Sequence, residues 1–264
     1  MSRFEFGKNW KSFLENLDDK KIMNSKVSLS NFLSLENLEG KSFIDVGSGS
    51  GLSSLSAINL GATVFSFDYD NNSVECTKTL KERFFPNDER WKVEQGSAID
   101  LDYIKSLGKY DVVYSWGVLH HTGNLSEALR AVDFLVKKGG LLFVAIYNDQ
   151  GASSKVWKFI KYLYVKSPKI LKLLIIGLAY LRLWGPTTIK DFIKLKPFYT
   201  WKNLYKSRGM SPHYDLIDWV GGYPFEVSTP EGIIHFYLDK GYELKKLKTC
   251  KGGKGCNEFL FRKL

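Results

Sequence analysis

Short apolar runs alternate with amphipathic stretches between Lys41 and Ile146, and this alternation limits the fold more than any other feature of the chain. The stretches between the runs are typical of helices, and strands that alternate with helices form a parallel sheet covered on both faces. The apolar runs are typical of buried strands and cover residues 42–46, 63–67, 111–115 and 141–146. Gly139 and Gly140 predict a turn before the last of these strands.

The C-terminal region follows a different pattern. Thr229 and Pro230 are typical of a helix start, and Gly241 is placed to end that helix. Two short runs, 243–248 and 257–261, then flank a glycine-rich stretch. This pattern predicts an antiparallel strand pair, joined by a flexible loop, at the edge of the sheet.

The positive charge of the chain is concentrated in one segment. In residues 151–210, 13 Lys and Arg and one acid, Asp191, give a net charge of +12. The remaining 25 basic and 27 acidic residues give −2. Because the segment is also rich in Trp and Tyr, we expect an insertion with a role of its own, folded as a helical lid.

Two helices are predicted inside this insertion. In the first, lysines recur near helical spacing and predict a basic face, at positions 155, 158, 161, 166 and 169. The opposite, apolar face consists of Val156, Phe159, Ile160 and Leu163. A more apolar helix is predicted from Ile170 to Trp184, ended by Gly185 and Pro186. Its longest apolar run, 173–181, is too short to span a bilayer.

A glycine-rich turn follows the first predicted strand and opens a helix, with the sequence Asp45-Val46-Gly47-Ser48-Gly49-Ser50-Gly51. Glycines at such a turn let backbone N–H groups approach a ligand without interference from a Cβ atom. A dinucleotide motif needs its third glycine at position 52, which is Leu52 here. Asp45 precedes the first glycine by two residues, where a carboxylate can balance a cationic amino group of the ligand.

Two further features follow the next strands. Asp68 ends the second strand, where its carboxylate can accept hydrogen bonds from both hydroxyl groups of a ribose. Tyr69 is placed to cover an adenine ring, and Gln95-Gly96-Ser97-Ala98 offer a hydroxyl and backbone donors to its edge. Each feature by itself also fits a tight turn or a helix cap.

In this order, these features resemble the motifs of class I S-adenosylmethionine-dependent methyltransferases across residues 40–150, with 111–121 as the fourth strand and its following loop. The resemblance implies S-adenosyl-L-methionine as cofactor and an α/β fold. That fold is a Rossmann-like, seven-stranded, mostly parallel sheet with an antiparallel C-terminal edge hairpin, plus the helical lid insertion. The cofactor contacts that it implies are Asp45, Gly47, Ser48, Gly49, Gly51, Asp68, Tyr69, Gly96, Ser97, Ala98, Ser115 and Trp116. Many relatives carry Asp at the position of Ser97, so the contact to the adenine amino group is a departure from the family pattern.

Four parts are expected along the chain. They are an N-terminal helical cover at 1–40, the adenosylmethionine-binding core at 41–150, the basic aromatic lid at 151–210, and a substrate loop with the C-terminal part of the sheet at 211–264.

The loop after the fourth strand is expected to face the methyl group, because ligands of parallel sheets bind at the carboxyl ends of the strands. Methyl transfer needs an aligned nucleophile and, for a hydroxyl acceptor, a base that removes its proton. His120 and His121 are candidates for that base. Packing against the sheet and capping of the next helix are the alternatives.

A second polar cluster lies at 213–226, beyond the insertion. His213 with Asp215 or Asp218 is another candidate base, and a structural histidine is the alternative. The residues predicted to contact the methyl acceptor are Tyr147, Asn148, Tyr214, Asp218, Trp219 and Tyr223. No metal is predicted, because displacement from a sulfonium requires none and the spacing matches no fixed ligand pair.

Three roles remain open for the insertion: a packed lid with solvated lysines, capture of an anionic substrate, carrier or membrane surface, and nucleic-acid binding. Nucleic acid is disfavoured, because the loop after the fourth strand lacks the Asn/Asp-Pro-Pro-aromatic arrangement of amino-group base methylases. Cys76, Cys250 and Cys256 are too few for a disulfide framework, and the N-terminus lacks a signal-peptide pattern. We therefore expect a cytoplasmic protein, with peripheral contact to the inner membrane face through 151–210 as one option.

Residues 145–151 and 213–226 resemble, more loosely, bacterial proteins of the ubiquinone O-methyltransferase type, some of which accompany surface-polysaccharide assembly. This resemblance implies O-methylation of a small polar or anionic metabolite, such as a sugar, phosphorylated or phosphoramidate-type polysaccharide precursor. A quinone-precursor phenol at the membrane surface is the alternative acceptor. A non-catalytic protein that associates with RNA or membranes on the same fold is disfavoured by the intact glycine turn and Asp68.

Overall fold

The computed structural model describes Phe4, residues 6–201 and residues 212–264. A seven-stranded sheet lies at the centre of residues 6–151 and 226–264, with the strand order β3-β2-β1-β4-β5-β7-β6. The strands are β1 (Ser42–Val46), β2 (Thr63–Asp68), β3 (Trp91–Gln95), β4 (Tyr110–Trp116), β5 (Val136–Tyr147), β6 (Tyr242–Lys248) and β7 (Cys256–Lys263). Strands β1 to β5 are parallel, and β7 runs antiparallel to both β5 and β6. The predicted fold class is confirmed.

Ten described helices accompany the strands. They are α1 (Gly7–Glu15), α2 (Asp19–Leu33), α3 (Leu52–Asn59), α4 (Asn71–Phe84), α5 (Leu101–Ser106), α6 (Leu125–Phe134), α7 (Ala152–Lys166), α8 (Lys169–Ile193), α9 (Pro212–Gly221) and α10 (Pro230–Leu238). A short 3-10 turn (Leu119–His121) follows β4. As predicted, Thr229 caps the last helix by accepting a hydrogen bond from the Gly232 N–H at 3.1 Å.

The sheet separates two hydrophobic clusters, one on each face. Neighbouring residues of one strand, Phe43 and Ile44, are both fully buried and belong to different clusters. Successive side chains of a strand point to opposite faces, so this pattern requires cover on both sides of the sheet. Helices α2 and α3 contribute to the cluster of Phe43, and α6 contributes to that of Ile44.

The strand β5 begins earlier than predicted. It starts at Val136, so the expected turn at Gly139 and Gly140 lies inside the strand. The pairing with β4 shifts register between Tyr110 and Val112, and Gly139 has a φ of +76°. Because glycine tolerates this left-handed conformation, the chain forms an irregular strand segment here instead of a turn.

A second unit, called the helical unit below, consists of residues 152–225 and residues 1–5, as far as the structure describes them. The predicted end of its second helix is wrong, because α8 continues through Pro186 to Ile193. Proline removes one backbone donor from a helix. The hydroxyl of Thr187 donates to the carbonyl of Trp184 at 2.8 Å and satisfies one acceptor beside the proline.

The predicted faces of α7 are also wrong. The buried residues Ser154, Trp157, Lys161 and Tyr164 lie at intervals of three and four and therefore share one face. Of the residues predicted to form an apolar face apart from the lysines, Val156 is 57% exposed and Phe159 is 60% exposed, whereas Lys161 is buried. Two stripes of side chains on this helix are candidates for burial. The stripe that contains Trp157 and Tyr164 is the buried one, even though it includes Lys161.

Candidate functional site

The carboxyl ends of five parallel strands meet at one edge of the sheet, and the predicted cofactor residues follow these ends. Strand β1 lies at the point where the strand order reverses, with β2 and β3 on one side and β4 and β5 on the other. Such a reversal leaves a crevice between the loops that follow the two central strands. The candidate site is this crevice between the ends of β1 and β4.

The glycine turn after β1 leaves no room for side chains. Gly47, Gly49 and Gly51 have φ angles of +82°, +55° and +80°, in the left-handed region that favours glycine. A Cβ atom at Gly47 would lie 2.4 Å from Val118 Cγ1, and one at Gly49 would lie 3.2 Å from Trp10 Nε1. The turn thus keeps its backbone at the crevice, as predicted from the glycine pattern.

The N–H groups of this turn are used within the protein. Gly47 and Ser48 donate to the carbonyl of Phe67 at 2.9 and 3.0 Å, and Gly49 donates to Asp68 Oδ2 at 3.0 Å. Gly51 donates to the carbonyl of Ser48 at 2.8 Å. These four N–H groups therefore have partners within the protein, and cofactor contacts by the turn stay a prediction. Turns that bind phosphate use free backbone N–H groups. Because the N–H groups of this turn already have partners, the turn suits a ligand that lies close to the backbone and has no phosphate.

Asp45 is buried beneath the turn and belongs to a chain of polar groups. Its Oδ2 accepts a hydrogen bond from the Ser54 hydroxyl at 2.5 Å, and that hydroxyl lies 2.8 Å from the Ser66 hydroxyl. Trp91 Nε1 donates to Ser66 at 2.9 Å. Burial raises the pKa of Asp45 to about 7, the Ser54 bond opposes the rise, and the charge of Asp68 adds to it. A cationic group in the crevice would favour the ionised carboxylate.

Asp68 is held in place by backbone donors. Its Oδ1 accepts from the Asp70 N–H at 2.8 Å, while Oδ2 accepts from Gly49 as described above. A carboxylate offers about four acceptor positions, so further hydrogen bonds from two hydroxyl groups can be accommodated. The N–H of Gly96 donates to the carbonyl of Asp68 at 3.0 Å, which brings the predicted adenine segment next to the predicted ribose acid.

The other predicted cofactor residues have varied surroundings. Tyr69 is exposed, and its carbonyl accepts a hydrogen bond from Gln95 Nε2 at 3.1 Å. Ser97 Oγ accepts from the Ile99 N–H at 3.4 Å, and Ala98 is buried. The positions of Tyr69, Ser97 and Ala98 at the strand ends are compatible with adenine contacts, which stay a prediction.

Two residues predicted to contact the cofactor have protein partners instead. Ser115 is fully buried and donates to the carbonyl of Val46 at 3.0 Å, so it links β4 to β1. Trp116 Nε1 donates to Glu258 Oε1 at 3.3 Å. Both side chains stabilise the sheet at the crevice, and cofactor contacts by them stay a prediction.

His120 and His121 are buried at the β4 end of the crevice, next to Tyr147 of β5. The ring centroids of His120 and Tyr147 are 3.9 Å apart, and those of His121 and Tyr147 are 5.4 Å apart. The backbone N–H of Tyr147 donates to His120 Nδ1 at 3.3 Å. A neutral imidazole that accepts at Nδ1 carries its proton on Nε2, so His120 is arranged as a donor rather than a base.

Glu226 holds the turn that carries these histidines, and it was not predicted to take part in the site. Its N–H donates to the carbonyl of His120 at 2.9 Å, and its Oε2 accepts from the Leu125 N–H at 2.9 Å. The second bond satisfies a free donor at the start of α6. Because 101 residues separate Glu226 from Leu125, no local pattern in the sequence indicates this bond.

The N-terminal residues cover part of the same crevice. The N–H of Gly7 donates to Asp70 Oδ2 at 2.9 Å, and Trp10 approaches the glycine turn as described above. The rings of Phe6 and His121 lie 4.9 Å apart between centroids. The sequence expectation of an N-terminal cover is compatible with these contacts.

Asn148, predicted to contact the acceptor, is engaged by the neighbouring hairpin. Its Oδ1 accepts from Asn257 Nδ2 at 3.0 Å, and its Nδ2 donates to the Gly253 carbonyl at 3.4 Å. These bonds hold the loop between β6 and β7 against the end of β5. An acceptor contact by Asn148 stays a prediction.

The second predicted base, His213, belongs to the helical unit. The stretch expected to form a substrate loop begins with the helix α9. His213 and Asp215 both lie in the first turn of this helix, and a base formed by His213 with Asp215 or Asp218 stays a prediction. The remaining predicted acceptor residues of this unit stay a prediction: Tyr214, Asp218, Trp219 and Tyr223.

Lys161 is fully buried in the same unit, and sequence reasoning placed it on the solvated face. Its Nζ lies 4.4 Å from the ring centroid of Trp219 and 4.7 Å from that of Phe225, and it donates to the Trp219 carbonyl. Burial lowers the pKa of Lys161 to about 7, against the opposing charge of Asp218. Among the described residues, no group of three or more His, Cys, Asp or Glu side chains is placed to hold a metal ion.

Comparison with known proteins agrees with this geometry. The methyltransferase domain family matches residues 20–173, more than half of the chain. A ubiquinone biosynthesis O-methyltransferase of Brucella ovis is 28% identical over 166 residues, which cover 60% of this chain and 55% of the relative. A ribosomal protein L11 methyltransferase of Helicobacter hepaticus is 31% identical over 159 residues, covering 56% of this chain and 48% of the relative. The chain thus spans about half the length of these curated relatives.

Solved structures share the fold at low sequence identity. The magnesium protoporphyrin IX methyltransferase of Synechocystis, crystallised with bound SAH, has a TM-score of 0.52 and 15% identity, covering 94% of this chain and 89% of that one. An O-methyltransferase family protein of Burkholderia thailandensis has a TM-score of 0.54 and 13% identity, covering 93% of this chain and 57% of that one. At these identities the likeness concerns the fold alone.

Proposed function

Because this chain belongs to the class I S-adenosylmethionine-dependent methyltransferase family, we propose that it methylates an oxygen atom of a small acceptor at the crevice between β1 and β4. The family and the cofactor predicted from the sequence motifs are confirmed. The observation that carries the proposal is the arrangement of the glycine turn with Asp45 and Asp68, which stand at the ends of neighbouring strands.

The crevice fits S-adenosylmethionine residue by residue. Asp45 would balance the cationic amino group, and Asp68 would accept the ribose hydroxyls. Gly96 to Ala98 would line the adenine. The turn approaches a ligand closely while its N–H groups are used internally, which suits a cofactor without phosphate groups. When bound, the cofactor supplies a methyl group on a sulfonium, which is already activated for displacement.

The chain's own contribution is to align the acceptor and take up its proton. His120 is fully buried and is fixed by the hydrogen bond that its Nδ1 accepts, so we assign it the positioning of the neighbouring His121 ring. His121 lies beside it, with ring centroids 4.5 Å apart, and we assign to it the removal of the acceptor proton. Tyr147 packs against both rings and would form one wall for the acceptor.

Two acceptor classes are supported by different observations. The aromatic surroundings of the two histidines and the name of the Brucella ovis relative favour a phenol, such as a quinone precursor. The net charge of +12 in residues 151–210 favours a small polar or anionic metabolite, such as a sugar or a phosphorylated or phosphoramidate-type polysaccharide precursor. O-methylation is common to both.

The test is a transfer assay with methyl-labelled S-adenosylmethionine. Phenolic quinone precursors, nucleotide sugars, phosphorylated metabolites and bulk tRNA are offered separately, and label in one of the first three classes is expected. His121→Asn should abolish transfer while leaving cofactor binding intact. No cofactor binding at millimolar concentration would overturn the enzymatic proposal, and label in tRNA would overturn the small-molecule acceptor.

A further inference from the structure

The helix α8 carries a continuous apolar stripe on its surface. Ile170, Leu174, Leu178 and Leu181 are between 59% and 77% exposed. They lie at intervals of four, four and three residues, which places them on one face. Single exposed apolar residues are ordinary on proteins, but a contiguous stripe marks a surface that contacts something. We refer to these four residues as the outer stripe.

The opposite side of α8 provides its packing within the unit. Ala179 is buried, and a turn of about 100° per residue places it across the helix from Ile170. On the flank of the helix, beside the stripe, Tyr180 and Trp184 pack against Trp201, with ring centroids 5.4 and 4.9 Å apart. The helix therefore already has an inner face, and the outer stripe is a second apolar surface within residues 152–201.

The neighbouring helix α7 shows the same arrangement. Its inner face holds Trp157 and Tyr164, whereas Val156 and Phe159 are exposed. The helices α7 and α8 thus both leave apolar side chains exposed on one face while another face is packed. A helix at the surface of a protein normally exposes polar side chains to water and buries apolar ones, so these exposed apolar side chains are unusual.

Within residues 152–201, the exposed charged side chains are all basic. Residues 152–201 carry basic side chains along both helices, and their only acid is Asp191. Asp191 is buried and accepts hydrogen bonds from the N–H and the hydroxyl of Thr200 at 2.7 and 2.8 Å. Residues 152–201 thus combine an apolar stripe with basic side chains and have no exposed acid. This combination is complementary to a lipid surface, which has acyl chains below anionic headgroups.

We propose that the outer stripe docks α8 in the plane of an anionic lipid bilayer. The lysines would contact the headgroups, and the four aliphatic side chains would enter the acyl boundary. A peripheral position at the inner face of the membrane was one of the options expected from the sequence, and the proposal now assigns it to one face of one helix.

An in-plane arrangement agrees better with α8 than a crossing one. By length and composition alone the helix could cross a membrane. However, Arg182 lies near its middle and Lys172 lies one turn from its start. A crossing helix would place Arg182 near the centre of the bilayer, where a charge is costly, whereas a helix in the plane keeps Arg182 at the headgroups.

The experiment is vesicle flotation with the full chain and no acceptor. We expect binding to phosphatidylcholine vesicles that contain phosphatidylglycerol, weaker binding at high salt, and little binding to phosphatidylcholine alone. The variant Leu174→Glu/Leu178→Glu should lose at least tenfold in binding to the anionic vesicles. Because the readout is lipid binding, it is independent of methyl transfer, and either proposal can fail without the other.

A matched control is available on α2. Met23 and Val27 are also four residues apart on a helix and are 58% and 48% exposed. The variant Met23→Glu/Val27→Glu adds the same two charges and should bind vesicles like the unmodified chain. Circular dichroism and thermal unfolding confirm that both variants are folded.

Four results would overturn the proposal. The first is equal vesicle binding by the two variants, and the second is no binding to anionic vesicles by the unmodified chain. The third is resistance to alkaline carbonate extraction from membranes, which indicates a crossing helix. The fourth is a dimer in solution that the Leu174→Glu/Leu178→Glu variant dissociates, without lipid binding, which assigns the stripe to a second copy of the chain.

Discussion

The affinity for S-adenosylmethionine should depend on pH through Asp45. Burial raises the pKa of this carboxyl to about 7, so the ligand-free protein holds it largely neutral in the acid range. The cationic amino group of the cofactor would stabilise the ionised form and lower that pKa. Binding below pH 7 must then release a proton, and the affinity should rise with pH until about 7 and level off above it.

The magnitude follows from the two pKa values. The ligand-free value is about 7, and a carboxylate compensated by the ligand returns toward its ordinary value of 3.8. Under that limit, the affinity should fall about 50-fold between pH 7 and pH 5, which is about 2 kcal/mol, since a tenfold change corresponds to about 1.4 kcal/mol. At pH 6, about 0.9 proton should be released for each cofactor bound.

Isothermal titration calorimetry measures both quantities. Titrations at pH 5, 6 and 7 in buffers of different ionisation enthalpy give the affinity and the protons released. The range stays below the pKa of an α-amino group, about 7.7–8.0, so the ligand's charge is constant. The control is Asp45→Asn, which keeps an acceptor for the Ser54 hydroxyl but has no proton to release.

The outcome separates the proposed role from a purely structural one. Asp45→Asn should bind more weakly at pH 7 and show no change between pH 5 and 7. An unmodified chain whose affinity is constant over this range would refute the reasoning. So would an Asp45→Asn variant that retains the full pH dependence, because another group would then be the one that titrates.

Four further predictions concern single residues. Asp68→Ala should lower cofactor affinity at least tenfold in the same calorimetry, since charge-assisted hydrogen bonds contribute about 1.5–3 kcal/mol each; unchanged affinity would remove the ribose assignment. His121→Asn should lower kcat by about 10²–10⁴-fold with unchanged cofactor affinity, and a normal kcat would exclude it as the base. Gly47→Ala should destabilise the protein by more than about 1 kcal/mol in urea unfolding, because its Cβ meets Val118 at a positive φ, and Val118→Ala should restore part of the loss. In the folded chain the pKa of Lys161 is about 7, whereas its ordinary value is 10.5. Between pH 7 and 10.5 the unfolded chain therefore binds more protons than the folded chain, and the free energy of unfolding should rise with pH. The gain from pH 7 to 9.5 should be about 3 kcal/mol in the unmodified chain and absent in Lys161→Met.

The sheet and its cofactor turn could be predicted from the sequence because their signals are local. A buried strand followed at once by Gly47, Gly49 and Gly51 specifies a strand, a tight turn and a helix within a few residues. The position of Asp68 at the next strand end follows from the same alternation. Each inference needed only neighbouring residues, and the sheet then assembled them by parallel pairing.

The helical unit could not be predicted to the same extent, because its sequence supports two arrangements. In α7, one stripe holds Val156, Phe159 and Leu163, and the other holds Trp157, Lys161 and Tyr164. Hydrophobicity favours burial of the stripe with Val156, but the stripe with Lys161 is the buried one. The rings of Trp219 and Phe225 lie next to that lysine. Cation–π contacts of this kind depend on residues about 60 positions away, which helical periodicity does not reveal.

The acceptor side of the crevice shares this dependence on distant partners. The orientation of His120 depends on the N–H of Tyr147 and on Glu226, which also caps α6 at Leu125. The residues proposed to bind the cofactor follow strand ends in a short part of the sequence, whereas those proposed to bind the acceptor come together from separate strands and loops. The same glycine turn is therefore compatible with many acceptors. If the proposed acceptor site is right, substitutions of His121 and Tyr147 should change acceptor choice before they change cofactor affinity.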